Sequence, residues 1–242
     1  LIFKKSLQNF LYPLSKSTPK HFQFLFFISY KNIPIPDPTS RTLNLFLLSK
    51  NYNQLKKNSV YLKQISKSKI EAYRFDISHP LSFNKVLKKF CKVELLVVVS
   101  GFLDINDRNN IKTNKTNYLG PINFIQKILT IHNNFREIIC FTSVAGDRID
   151  ASLDEYSNSK KKLSNFIIKN KSKFKKKNIY LKDLKLGYVK TKMTNHIFLQ
   201  SIVCVSPEKV AKFIHANIGI KDNKVIYYPK IWIQILRIYN LI

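Results

Sequence analysis

The chain has 242 residues, 45% of them hydrophobic and 13% aromatic; that length supports one α/β core, and that composition excludes a disordered chain. Lys and Arg outnumber Asp and Glu by 42 to 14, a formal charge of +28, which favours anionic partners: nucleic acid, lipid headgroups or phosphorylated substrates. The excess is mostly Lys in a chain rich in Lys, Asn and Ile throughout, so a compositional bias of the coding sequence is the competing explanation.

Cys91, Cys140 and Cys204 are odd in number and far apart, with no CxxC pair. This pattern argues against a disulfide framework or a metal site and fits a reducing, cytoplasmic compartment. Cys91 and Cys140 sit in or beside apolar runs and read as buried thiols. The longest apolar runs, Phe24 to Ile28 and Leu95 to Val99, are too short to span a bilayer. Residues 1–20 read as an N-terminal extension to one domain over 21–242. They lack the continuous apolar stretch and small-residue cleavage site of a signal peptide. No initiator Met opens the chain, so a longer parent chain is an open reading.

In chain order, strands are expected at Phe22 to Ser29, Leu43 to Leu48, Ile70 to Phe75, Leu95 to Ser100, Glu137 to Ser143, Ile179 to Leu186 and Lys224 to Tyr228. Helical periodicity falls between most of them, at Tyr52 to Gln64, Leu81 to Phe90, Asn114 to His132, Glu155 to Lys173 and Pro207 to Ile218. Ser206 before Pro207 is a helix start, a cap followed by Pro at the first position. The alternation predicts an α/β fold: a Rossmann-like, doubly wound parallel sheet of about seven strands with helices on both faces. Lys31 to Thr42 carries Pro34, Pro36 and Pro38 in alternation and reads as extended, so the first β-α unit is degenerate.

Tyr156 and Lys160 lie four residues apart, on one face of the helix predicted over Glu155 to Lys173. A Lys ammonium beside a Tyr lowers the phenol pKa, which suits proton exchange with a carbonyl oxygen or an alcohol. Alone the spacing is weak in a Lys-rich chain. Upstream, Ser143 ends a strand and small residues follow it, a position on the ligand-binding edge of an open α/β sheet. Asn117 lies in a helical segment, where a buried Asn can hold a water or brace a backbone. Gly187 to Thr191 follow the sixth strand.

Asn117, Ser143, Tyr156 and Lys160 resemble, in order and spacing, the tetrad of the short-chain dehydrogenase/reductase family. Gly187, Val189 and Thr191 are similar to the family's segment after the sixth strand, with Leu186 in place of the usual Pro. Ser100 and Gly101 resemble the segment after the fourth strand, and Asp76 and Ile77 the adenine-contacting pair after the third. The resemblance covers roughly Leu43 to Ile242. It implies Tyr156 as acid/base, Lys160 as its pKa partner and a holder of the nicotinamide ribose, and Ser143 on the substrate carbonyl. It also implies Asn117 in a proton relay and Thr191 on the nicotinamide carboxamide. Lys50, past the second strand, stands where the family often binds a 2′-phosphate, which favours NADP over NAD; a solvated Lys is the alternative.

Within that family, the segments Ser143 to Arg148, Gly187 to Thr194 and Val225 to Trp232 are similar to the branch of reductase components of decaprenylphosphoryl-ribose 2′-epimerase. That narrower resemblance implies a keto-sugar on a lipid-linked or otherwise anionic carrier. Ile231 to Ile242 carries Trp232, Ile235, Leu236, Ile238 and Tyr239 beside Lys230 and Arg237, a segment suited to peripheral membrane contact or to packing on the sheet or a second copy. The family resemblance also implies a homo-oligomer.

One family feature is missing. A glycine-rich turn after the first strand should cradle the pyrophosphate, yet no glycine precedes Gly101. Either the cofactor is held unusually, through Lys31 or Arg41, or the stretch is a decayed or misread part of the gene, or the chain is a non-catalytic relative that keeps the fold for binding. A nucleic-acid binder is the third function class. It has no RNP-like aromatics, zinc-finger spacing or paired recognition helix behind it, so no specific nucleic-acid partner is expected.

Overall fold

Alternation along Leu95–Phe102 (β4) sends side chains to two faces, and both faces are covered. Leu96 and Val98 point into one core with Ile138, Cys140, Phe124, Ile125, Ile128, Leu163 and Ile167. Leu95, Val97 and Val99 point into the other, with Leu47, Leu55, Ile139, Phe141, Val210 and Ile214. Each fully buried side chain of this size contributes ~1.5–3 kcal/mol, which is why a run this apolar settles between two helical layers. These features come from a computed structural model that describes residues 21–30, 43–65, 69–88, 93–103, 111–132, 134–191, 194 and 204–241.

The other strands are His21–Tyr30 (β1), Leu43–Ser49 (β2), Lys69–Arg74 (β3), Glu137–Ser143 (β5), Tyr180–Leu186 (β6) and Val225–Tyr228 (β7). The sheet order is β3-β2-β1-β4-β5-β6-β7. The helices are Tyr52–Ile65 (α1), Phe83–Leu87 (α2), Ile111–Asn114 (α3), Gly120–Ile131 (α4), Glu155–Lys175 (α5), Pro207–Asn217 (α6) and Trp232–Tyr239 (α7). Ser206 caps α6, its hydroxyl accepting from the Lys209 amide, with Pro207 in the first turn, as the sequence predicts. The helix expected from Asn114 starts earlier, at Ile111, and passes through a π turn at Lys115–Leu119. The helix expected over Leu81 to Phe90 is a 3-10 turn at Pro80–Ser82 followed by α2.

The α/β architecture agrees with the sequence reading, with one difference in strand direction. β2 pairs parallel with β3, and β4 through β7 are parallel throughout. β1 runs antiparallel to both β2 and β4. A parallel neighbour needs a crossover long enough for a helix, and the three prolines between β1 and β2 remove the donors such a helix requires. An antiparallel neighbour needs only a return at the same edge, and Tyr30 is paired with Leu43. The expectations on the N-terminal extension, Lys31 to Thr42 and Cys91 lie outside the described residues. Cys140 is buried, as expected, and Cys204 is half-buried.

Candidate active site

The C-terminal ends of β4, β5 and β6 share one edge, and a cavity of about 550 Å³ opens there. Ser143 is the last residue of β5. Its side chain accepts from the Ala145 amide at 3.2 Å and so starts the 3-10 turn Val144–Asp147. That turn lies directly on α5: a Cβ at Gly146 would stand 2.9 Å from the Lys161 amide nitrogen. Only glycine permits this approach, which brings Ser143 against the helix carrying Tyr156 and Lys160. Asp154 caps α5 by accepting from the Ser157 amide at 2.7 Å. Tyr156 and Lys160 thus fall in its first two turns.

Ser143, Tyr156 and Lys160 all line the cavity. The Ser143 hydroxyl faces the same cavity as the Tyr156 phenol and lies near enough to favour its ionised form. Lys160 is buried, and its Nζ donates to the carbonyls of Ser100 (2.5 Å) and Phe141 (3.2 Å). Burial pulls its pKa down to about 8, against the opposing influence of Cys140 and Asp183. Burial pushes the Tyr156 phenol up, and only Ser143 pulls it down; Asp154 and Tyr188 add to the rise. The expected lowering of Tyr156 by Lys160 is therefore absent here. Two backbone carbonyls engage the ammonium, and the phenol's acidity is set by Ser143 and by its enclosure.

Asn117 sits in the π turn, fully buried. Its Oδ1 accepts from the Phe102 amide at 2.7 Å, while Nδ2 donates to the Phe102 carbonyl (2.9 Å) and the Ser159 hydroxyl (3.2 Å). It ties the end of β4 to α5 beside Lys160 and does not line the cavity.

Of the residues assigned to a cofactor by resemblance, Ser100, Gly101, Gly187, Val189 and Thr191 line the cavity with Lys160. Thr191 is pinned by Thr194, whose hydroxyl accepts from the Thr191 amide (3.1 Å) and donates to the Val189 carbonyl (2.7 Å). Lys50 and Asp76 lie away from the cavity, past the ends of β2 and β3, and meet each other at 2.7 Å. Burial works against the charged form of Asp76, yet Lys50 and the Ser78 hydroxyl and amide outweigh it and hold the carboxyl at about 2. The Ile77 side chain is in the core, which leaves its backbone as the only contact it can offer.

A nicotinamide dinucleotide fits this edge at its two ends. The Ser100 hydroxyl is buried at the cavity wall with no hydrogen-bond partner among the described residues, and Lys50 and Asp76 stand on the same edge further along the sheet. The middle is different. Because β1 is reversed, Tyr30 is at the edge opposite Ser100, and His21 is paired with Phe102. The C-terminal end of β1 therefore does not stand on the edge that carries Ser100.

Sequence reasoning missed two groups. The first is the cavity roof, where α7 contributes Trp232, Ile235, Leu236 and Tyr239; the signal was the amphipathic spacing of the tail. The second is a buried polar network behind the site. Asp183 on β6 accepts from the hydroxyls of Thr142 and Ser164. Lys185 pairs with Asp147, which also accepts from the Tyr227 hydroxyl at 2.8 Å. This network joins β5, α5, β6, β7 and the Ser143 turn. Its only sequence signal was three charged residues, Lys182, Asp183 and Lys185, inside one short strand.

A sequence profile of the family described as short chain dehydrogenase matches residues 40–201. No curated protein matches the sequence significantly. Among solved structures, the chain is similar to a variant actinorhodin polyketide ketoreductase with NADPH, with 15% identity, TM-score 0.64, and coverage of 76% of this chain and 85% of that one. It is similar to a short-chain dehydrogenase from Sphingobium yanoikuyae in complex with NADPH, with 13% identity, TM-score 0.65, and coverage of 76% and 78%. It is also similar to L-sorbose reductase from Gluconobacter frateurii complexed with NADPH and L-sorbose, with 16% identity, TM-score 0.62, and coverage of 75% and 84%. At these identities the likeness is one of fold.

Proposed function

Because this chain belongs to the short-chain dehydrogenase family, we propose that its cavity reduces a carbonyl compound at the expense of a nicotinamide cofactor, NADPH in preference to NADH. The observation that carries this reading is the Ser143–Tyr156 hydroxyl pair at the cavity, with Lys160 one helical turn further on. Bound at this edge, NADPH supplies the hydride for the carbonyl carbon. The chain's own part is positioning and proton transfer. Tyr156, a phenol whose pKa burial pushes up, donates its proton to the carbonyl oxygen as negative charge develops there. Ser143 hydrogen-bonds the same oxygen and orients it. Lys160, Ser100, Gly187 and Thr191 are the residues that would hold the nicotinamide end. Lys50, paired with Asp76 past the ends of β2 and β3, is the cation we assign to a 2′-phosphate, in keeping with the NADPH held by the three solved structures above.

The cavity walls support a finer reading. Val99, Leu103, Val210, Trp232 and Leu236 line the same cavity as the hydroxyl pair, which favours a keto group on a partly apolar molecule, such as a lipid-linked keto-sugar. Asp183, fully buried behind the cavity wall, accepts from Thr142 and Ser164 and serves to fix β5 against α5.

The test is NADPH binding and oxidation with a panel of ketones and keto-sugars. Tyr156→Phe is expected to cut turnover by about 100-fold or more while leaving NADPH binding intact. Absence of saturable NADPH binding overturns the reading. The direction of β1 favours a second reading in that case: a family member that keeps the fold and its carbonyl-sized cavity as a binding module without the cofactor.

A further inference from the structure

We propose that the rim of the cavity, formed by the 148–153 loop and α7, docks on an anionic lipid surface. The inference deepens the reductase reading by naming the surface from which a partly apolar substrate would enter, but its physical basis is separate.

Exposed apolar side chains concentrate at this rim. Of the six most exposed large apolar residues among those described, five are Ile149, Leu153, Ile231, Ile238 and Leu241, each exposing between 57% and 85% of its surface. The sixth, Leu81, belongs to the turn before α2. Scattered exposed apolar residues need no explanation, whereas five on two adjoining segments do.

Helix geometry explains how α7 comes to carry them. Trp232, Leu236 and Tyr239 recur at helical spacing and line the cavity. Ile231, Ile235 and Ile238 recur one position earlier, on the adjacent stripe, and face outward. The helix is therefore apolar over two stripes, and the protein covers only one. Ile235 belongs to both, lining the cavity while remaining exposed, so the uncovered stripe borders the cavity itself.

The loop and the helix form one surface because they are laced together. Asn240 accepts from the Ile149 amide at 2.8 Å and donates to the Asp147 carbonyl at 2.9 Å. The Tyr239 hydroxyl donates to Asp150 at 3.0 Å.

Charge selects the occupant. The carboxylates at the rim are spoken for: Asp147 by Lys185 and Tyr227, Asp150 and Asp154 by Arg148. Lys190, Lys230 and Arg237 are exposed and have no carboxylate partner among the described residues. A second copy of the chain would bring its own formal +28 against this face. Anionic headgroups offer the opposite charge to the lysines and arginine, and the acyl boundary accepts the isoleucines and leucines.

The experiment is co-sedimentation of the intact protein with vesicles of phosphatidylcholine alone and of phosphatidylcholine mixed with phosphatidylglycerol, across a salt series. Wild type is expected to bind the mixed vesicles. Leu153→Asp and Ile238→Asp, at exposed positions outside the cavity lining, are expected to weaken that binding at least about tenfold with an unchanged thermal melt. Lys230→Ala with Arg237→Ala is expected to flatten the salt dependence. If the Asp variants bind like wild type, only diffuse charge is at work and the proposal is overturned. Failure of wild type to bind overturns it as well. A wild-type oligomer that either Asp variant dissociates, seen by sedimentation velocity without lipid, assigns the face to a second copy instead. None of these readouts uses turnover, so they stand apart from the test of reductase activity.

Discussion

The indole of Trp232 occupies the space that a side chain at Gly187 would need: a Cβ built on Gly187 would stand 1.8 Å from Nε1. The contact joins the segment after β6 to the helix that roofs the cavity, and Tyr188 packs edge-on against the same indole at 5.3 Å. Gly187→Ala must push the indole away, and α7 is held by Tyr239 and Asn240, so the strain has no free outlet. The substitution is expected to destabilise by ~1–3 kcal/mol in urea unfolding. In a Trp232→Ala background the same change should cost much less, and equal costs in both backgrounds would refute the contact.

Trp232 is the only tryptophan in the chain, and it lines the cavity. NADPH absorbs where tryptophan emits, so a cofactor bound beside Ser143 and Gly187 should quench the emission saturably. A quench that survives Trp232→Phe would have another origin. Saturable binding by calorimetry without any quench would place the cofactor away from the cavity.

Much of the site can be read from the sequence because it is local. Ser143 at a strand end, the Asp154 cap, and the Tyr156–Lys160 spacing are each set by a few neighbouring residues, and their order along the chain fixes their meeting at one edge. Strand direction is different. The apolar content of β1 makes it a central strand in either direction, and only its connections decide between them. The roof was half legible: the spacing of Trp232, Leu236 and Tyr239 shows an amphipathic helix but not which surface it covers. The charges of β6 were not legible at all. Lys182 and Lys185 are three apart and point to opposite faces of the sheet, where charged residues in so short a strand name no partner, and the partners Glu137 and Asp147 lie on another strand and its following turn.

The Lys182–Glu137 pair makes that last point measurable. Lys182 is fully buried and also donates to the Asn217 carbonyl at 2.6 Å, while Glu137 accepts from the Gly219 amide at 2.8 Å. Glu137→Met leaves a buried ammonium with one carbonyl and is expected to cost about 3–5 kcal/mol. Replacing both partners with Met should recover much of that loss, since two desolvated charges disappear together. Urea unfolding of the two single variants and the double variant tests this; a strictly additive double variant would show that the pair does not interact.

Lys160 stores an instability that the site needs. Its pKa falls to about 8 from 10.5, burial being the main cause. Between those values the unfolded chain holds the proton and the folded chain has lost it, so the unfolded state binds more protons and this group's contribution to stability rises with pH across the window. Below about pH 8 the full cost of burying the ammonium is present. Lys160→Met keeps the length of the side chain and removes the charge, so at neutral pH it should stabilise the cofactor-free protein by about 2–4 kcal/mol. It should also abolish reductase activity, the exchange expected where a site is strained for its function. The gain should shrink toward zero as the pH approaches 10.5. Thermal melts of both proteins across this range decide it: a Met variant less stable than wild type at neutral pH would mean that the two carbonyl hydrogen bonds of the ammonium outweigh its desolvation.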